Sequence, residues 1–274
     1  MLIAQLTDLH LRPLGLPANR VVETNMLAER AFRALAARRP LPDAVLLTGD
    51  LTDSGAPAEY ALLAGLLARY PLPPIFAIPG NHDAREAMIA GLPGTRHTDG
   101  FVQYAIEDFA VRLVMLDTVV PGAGHGELCD RRLAWLDATL AAAPDRPTVI
   151  GMHHPPIATG IGHMDRLALR RPEAFAAVLE RHPQVRLVLC GHDHRGVFAR
   201  LGPAIVSIAP SVAHQVAFDL REEAPSALVL EPPAYQLHHW RDLGRGASGF
   251  VSHTVLVEDY PGPFPFLAAE QAPR

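Results

Sequence analysis

The chain has 274 residues, 49% of them hydrophobic, enough to bury the core of one large domain or of a domain with an extension. A net charge of -5 with no basic stripe argues against a nucleic-acid polymer as partner, because that binding rests on neutralising many phosphates. Two cysteines, Cys129 and Cys190, without a Cys-x-x-Cys pair, exclude a disulfide framework or a structural zinc cluster.

Taken in chain order, short apolar runs end repeatedly in polar clusters. Leu2 to Leu6 reads as a buried strand and delivers Asp8-x-His10. This strand begins almost at the amino terminus, leaving no room for an export signal, and no apolar run is long enough to span a bilayer, so a cytoplasmic protein is expected. Val21 to Arg39 carries helical periodicity and stops at Pro40. Ala44 to Leu47 is the next strand, ending in Gly49-Asp50, and Ala58 to Tyr70 the next helix. Ile75 to Ile78 leads into Gly80-Asn81-His82-Asp83. Val102 to Ile106 and Val111 to Leu116 are consecutive strand-like runs that suggest a hairpin, so the sheet is mixed. The helix expected over Asp130 to Ala142 precedes Val149 to Ile150 and its motif Gly151-Met152-His153-His154. Pro172 to Arg181 is a helix with proline at its start. Val185 to Leu189 then ends in Gly191-His192-Asp193-His194. Gly196 to Leu201 and Ala204 to Ile208 form another hairpin around Gly202-Pro203.

Past Pro210, Arg221 to Pro225 is loop-like, and Ala227 to Leu230, Tyr235 to Trp240 and Phe250 to Val257 are strand candidates. The tail from Pro261 cannot be helical, and burial of Phe264 and Phe266 places it along another surface, either a partner subunit or its own core. We divide the chain into a catalytic core over 1–215 and a β-rich extension over 216–274 that completes the fold and offers a subunit interface. No internal repeat or second independent domain is visible.

The polar clusters sit at strand ends, where open α/β sheets hold their ligands. Carboxylates and imidazoles together suit Mn, Fe, Co or Zn rather than Mg or Ca. A carboxylate can serve two metals at once, and the isolated Asp50 is the natural bridge. Asn81 offers a neutral amide oxygen, which keeps a neighbouring metal positive enough to acidify a bound water. Taken singly, a histidine at a strand end is more often a hydrogen-bonded structural residue, and Gly-Asp is turn chemistry. It is the ordered set that points to a metal site.

The pattern Asp-x-His, Gly-Asp, Gly-Asn-His-Asp, His, Gly-His-x-His resembles the calcineurin-like binuclear metallophosphoesterases over roughly the first two hundred residues. The run from Met152 to Pro156 is most similar to the bacterial glycerophosphodiesterase and class III cyclic-nucleotide phosphodiesterase group. That resemblance implies an α/β fold of two mixed sheets packed face to face with helices outside. It implies two divalent transition-metal ions, one held by Asp8, His10, Asp50 and His194 and the other by Asp50, Asn81, His153 and His192. A hydroxide between the metals would attack the phosphorus of a small phosphodiester, a glycerophosphodiester or a 3′,5′-cyclic nucleotide. His82 would face the phosphoryl group as the catalytic histidine, with Asp53 at a position some relatives use to orient it; Asn81 and His214 would also touch substrate. Group members assemble into dimers and larger forms, so a homo-oligomer is expected.

His154 is expected just behind the ligands; His163, like His214, lies in a loop that could reach the cleft, but is expected to be an ordinary loop residue. His97, His125, His182, His238, His239 and His253 are expected at the surface or in loops. A phosphomonoesterase on the same metals is the alternative, with Arg12, Arg85 and Arg195 near enough in sequence to bind a dianion. An inactive scaffold would have lost ligands, and none is missing. Specificity is expected in the loops over 12–25, 85–100, 157–170 and 211–225.

Overall fold

Apolar runs of four to six residues become strands here, and the longer periodic segments between them become helices. The computed structural model describes residues 1–266. Its first part runs β1 (Leu2–Leu6), α1 (Thr24–Ala36), β2 (Ala44–Thr48), α2 (Pro57–Ala68), β3 (Ile75–Ile78) and α3 (Arg85–Gly91). The middle adds β4 (Tyr104–Ile106), β5 (Arg112–Met115), β6 (Gly126–Glu127), α4 (Asp130–Ala141), β7 (Thr148–Gly151), α5 (Gly162–Asp165) and β8 (Leu169–Arg170). The last part holds α6 (Pro172–Arg181), β9 (Val185–Cys190), β10 (Val197–Leu201), β11 (Ala204–Ile208), β12 (Gln215–Val216), β13 (Leu228–Val229), β14 (Ala234–Gly244) and β15 (Ala247–Leu256).

Two mixed sheets result. One has the order β15-β14-β1-β2-β3, with β1, β2 and β3 parallel and β14 antiparallel to β1. The other runs β10-β11-β9-β7-β5-β4, parallel through β11, β9, β7 and β5 and antiparallel at both edges. Strand alternation sends Leu113, Met115, Val149, Leu187 and Leu189 inward, into the core shared with β1, β2 and β3. Val114, Ile150, Val188 and Cys190 point the other way, against Leu136 and Leu140 of α4 and Phe175 and Leu179 of α6. Helices α1 and α2 cover the first sheet with Phe32, Leu35, Tyr60 and Leu63. The sheets therefore stack face to face between outer helices, as the sequence implied.

Polar groups between the sheets satisfy one another. Gln5 Nε2 donates to Thr48 Oγ1 and, across the layer, to the carbonyl of Cys190, while Ser207 Oγ donates to Gln236 Oε1. His238 joins this seam through Gln5 Oε1 and Ser252 Oγ and is 0% exposed, which corrects its expected surface placement. His182 does lie in a loop, just after α6, but it is buried and bonded to Asp137.

Element boundaries differ from expectation in instructive places. The first helix begins at Thr24, not Val21, because Val22 pairs with Ala18 in an isolated bridge and Thr24 Oγ1 is spent on the carbonyl of His10. Strands β14 and β15 extend past Trp240 and start before Phe250, forming an arm whose tip is exposed, so no one-sided apolar pattern marks it. Phe264 and Phe266 are exposed, so the described part of the tail does not pack on its own core. The expected tail beyond residue 266 lies outside the described residues.

Candidate metal centre

The parallel strands of both sheets deliver their motifs to one edge. Backbone bonds stitch those strand ends together: Asp8 N donates to the Gly49 carbonyl, His10 N to that of Asp50, and Gly191 N to that of His153. The turns are tight enough that Asp8, His10, Asp50, His192 and His194 all adopt left-handed φ, between 48° and 73°. Non-glycine residues rarely do so, and such strain clusters at functional sites. Two motif glycines make room. A Cβ on Gly49, itself at φ +97°, would run into the His153 ring, and one on Gly80 would meet the Asp50 carboxylate.

Seven side chains converge as a result: Asp8, His10, Asp50, Asn81, His153, His192 and His194. All are buried except the partly exposed Asn81. The outer nitrogens decide how the imidazoles present themselves. His153 Nδ1 donates to the Thr48 carbonyl at 2.9 Å, His194 Nδ1 to the His214 carbonyl at 2.8 Å, and His10 Nδ1 to Asp53 Oδ1 at 3.2 Å. Each donation fixes the tautomer and leaves Nε2 a lone pair aimed inward. Those lone pairs meet other acceptors. His10 Nε2 lies 3.2 Å from His194 Nε2, His194 Nε2 3.1 Å from Asp8 Oδ1, and His153 Nε2 3.2 Å from Asn81 Oδ1. His192 Nδ1 is 3.0 Å from the same amide oxygen.

Acceptor facing acceptor in a buried space is repulsive unless a cation lies between, so the donor set fits cations. Asp8, His10, Asp50 and His194 have ligand atoms within 4.8 Å of one another and could hold one. Asp50 Oδ2 reaches both halves, 3.7 Å from His10 Nε2 and 3.5 Å from His153 Nε2, so a second cation could sit among Asp50, Asn81, His153 and His192. Without cations the cluster would draw protons. Burial opposes charge on Asp8, yet His194 and His153 hold its carboxyl down at about 2, and burial likewise fails against Asp50 and Asp8, which lift His153 to about 9. His154 packs against His153 and His192, its Nδ1 paired with Thr118 Oγ1 and its Nε2 buried without a partner among the described residues.

His82 stands at the mouth. Its backbone N–H donates to Asp50 Oδ1, and its Nδ1 donates to the Asp53 carbonyl at 2.8 Å, so its free Nε2 belongs to the cleft. Burial would lower its pKa, but the charge of Asp50 and the Asp53 carbonyl raise it. Asp53 does orient this ring, though chiefly by its backbone; its carboxylate is nearer His10. His214 also lines the cleft, its ring 4.7 Å from that of His194, and burial with the neighbouring His194 pushes it down to about 3.

The three arginines considered for a dianion are all engaged by anions or carbonyls. Arg12 pairs with Asp53 at 2.6 Å, Arg85 with Asp117 at 2.6 Å, and Arg195 with Glu231 at 2.7 Å. Two groups stand out to which motif reading gave no role. Asp83 accepts from the N–H groups of Leu51, Thr52 and Gly80 and from the hydroxyls of Thr52 and Tyr60, tying the Asp50 loop to the Asn81 loop. His163, expected to be an ordinary loop residue, is buried and forms part of the cleft wall. The motif gave Asp83 a place but not its partners, and for His163 the sequence offered only a loop that could reach the cleft. The cleft has a volume of about 380 Å³.

Comparison with known proteins agrees with this geometry. The family model described as calcineurin-like phosphoesterase matches residues 1–196. A probable glycerophosphodiester phosphodiesterase of Arcobacter nitrofigilis is 34% identical over 97% of this chain and 97% of its own. A 3′,5′-cyclic adenosine monophosphate phosphodiesterase of Pseudomonas aeruginosa is 31% identical over 95% of this chain and 93% of its own. A dimetal phosphatase from Danio rerio shares the fold, with a TM-score of 0.67 at 16% identity, covering 94% of this chain and 99% of its own.

Proposed function

The chain belongs to the calcineurin-like phosphoesterase family, and on that footing we propose that it is a two-metal hydrolase of small phosphodiesters. One observation carries the reading: three histidines whose outer nitrogens donate to fixed oxygens turn their lone pairs toward one another and toward the oxygens of Asp8, Asp50 and Asn81. Asp8, His10, Asp50 and His194 hold one divalent cation, and Asp50, Asn81, His153 and His192 the other, drawn from Mn, Fe, Co or Zn. Such cations, when bound, supply an acidified water as nucleophile and neutralise the phosphoryl oxygens.

The protein's own groups do the rest. Asp53 keeps His10 in the tautomer that points Nε2 inward and, through its carbonyl, turns the His82 ring outward to the cleft. His82 Nε2 is the group that meets the departing oxygen and gives it a proton or a hydrogen bond. Asn81 and His214 contact the phosphoryl group. The engagement of Arg12, Arg85 and Arg195 leaves none of these cations ready for the second charge of a monoester, which favours a monoanionic diester. Glycerophosphodiesters and 3′,5′-cyclic nucleotides are the substrates to which the relatives' names point.

No helix among the described residues is long and apolar enough to cross a membrane. We place the enzyme in the cytoplasm as a homo-oligomer, with residues 216–274 as an extension of the core that supplies a subunit interface. Elemental analysis together with rates on a glycerophosphodiester, cyclic AMP and matched monoesters, with Mn, Co and Zn supplied separately, tests the reading. Faster hydrolysis of monoesters with every metal would replace it by the phosphomonoesterase.

A further inference from the structure

The cleft has a lining of two unlike kinds. The lining combines the converging carboxylates and imidazoles with the apolar side chains Met164, Leu167, Val216 and Leu228. His163 is part of the lining and sits on the segment that supplies Ile161 and Met164 to a small apolar cluster with Val216. It is only 8% exposed, and among the described residues neither ring nitrogen has a hydrogen-bond partner. It is also absent from the clusters of side chains close enough to share a metal.

The backbone beneath His163 is firmly held. Asp165, on the same short helix α5, accepts from Thr159 N at 2.7 Å, Thr159 Oγ1 at 3.1 Å and Gly160 N at 3.0 Å. Ile161, Met164 and Val216 pack together beside it. A buried polar group with no partner is costly, and binding pockets keep few polar groups on an apolar wall to fix a ligand's orientation. A half-turn of the ring about the Cβ–Cγ bond exchanges Nδ1 with Cδ2 and Nε2 with Cε1. Whichever ring edge faces the cleft can thus carry a nitrogen.

We infer that His163 binds the hydroxyl-bearing alcohol arm of the diester, the part that projects from the phosphoryl group toward the apolar lining. This rests on the phosphodiesterase reading above. A neutral imidazole offers one donor and one acceptor, and an alcohol hydroxyl is its complement in both respects. Glycerol and ribose both bring such a group. A nitrophenyl arm does not.

The test compares wild type, His163→Phe and His163→Gln, each with measured metal content, on glycerophosphoethanolamine, cyclic AMP and bis(4-nitrophenyl) phosphate. His163→Phe keeps a ring in the wall and should lower kcat/KM about 10- to 100-fold on a hydroxylated substrate, with the nitrophenyl diester changed by less than about threefold. His163→Gln, which still donates and accepts, should recover most of the loss. Selective loss on the glycerol diester or on cyclic AMP names the arm that His163 reads. An equal fall on all three substrates would reduce His163 to wall packing and overturn the subsite, as would no fall on either hydroxylated substrate. A metal-loaded wild type that cleaves no diester, the nitrophenyl one included, would instead sink the phosphodiesterase reading itself.

Discussion

Replacing Asp83 by alanine should be among the most damaging single changes outside the ligand set. The carboxylate accepts from the backbone N–H groups of Leu51, Thr52 and Gly80 at 2.9 to 3.1 Å, and only 7% of the residue is exposed. Alanine would leave three buried donors unpaired at ~1–3 kcal/mol each. Water entering the vacated space would offset part of this, so a net loss of ~3–5 kcal/mol is expected against a typical total stability of ~5–15 kcal/mol. The hydroxyls of Thr52 and Tyr60 lose the same acceptor but can rotate to others. Urea denaturation of the metal-free protein measures the effect without interference from bound cations, and the exposed Asp108→Ala serves as a control expected within ~0.5 kcal/mol of wild type. The two bonded loops carry Asp50 and Asn81, so metal affinity should fall as well. A stability loss below ~1 kcal/mol for Asp83→Ala would refute the view that this carboxylate holds them together.

Asp50→Ala should abolish binding at both metal positions, whereas Asn81→Ala should weaken mainly one, rescuable by excess metal; two full-affinity ions titrating into Asp50→Ala would remove the bridge. His82→Ala should keep near-normal metal content and lose turnover ~100-fold or more, with a smaller loss on an activated nitrophenyl diester than on a glycerol diester. An equal loss on both would shift His82 from proton donor to stabiliser of charge.

The convergence of the seven candidate ligands was legible because each sits in a short motif directly after a strand, and strand ends in an α/β sheet share an edge. Their supporting groups were not. The bond from Asp53 to His10 spans loops after different strands, and the partners of Asp83 lie as far away as Leu51, so both depend on how the loops close over each other. The polar seam of Gln5, His238, Ser207 and Gln236 was hidden for a related reason. Polar residues on alternate strand positions look solvent-facing, and only the packing of the sheets reveals that Ser207 meets Gln236 across the layer while Gln5 meets His238 of the neighbouring strand. The unpaired nitrogens of His163 have no sequence signature, since its value lies in what surrounds it. The hairpin of β14 and β15 was underestimated at its tip because exposure on both faces removes the alternation that marks a half-buried strand.

The left-handed backbone at Asp8, His10, Asp50, His192 and His194 sets this protein's capacity to act against its ease of folding. At ~1–2 kcal/mol for each such residue, the five positions together withhold an amount comparable to the whole margin by which a domain stays folded. Glycine would relax every one of them and coordinate nothing. Drift toward stability at these turns is therefore drift away from the proposed metal centre, and the core between the sheets must be sound enough to carry an arrangement that the backbone alone would abandon.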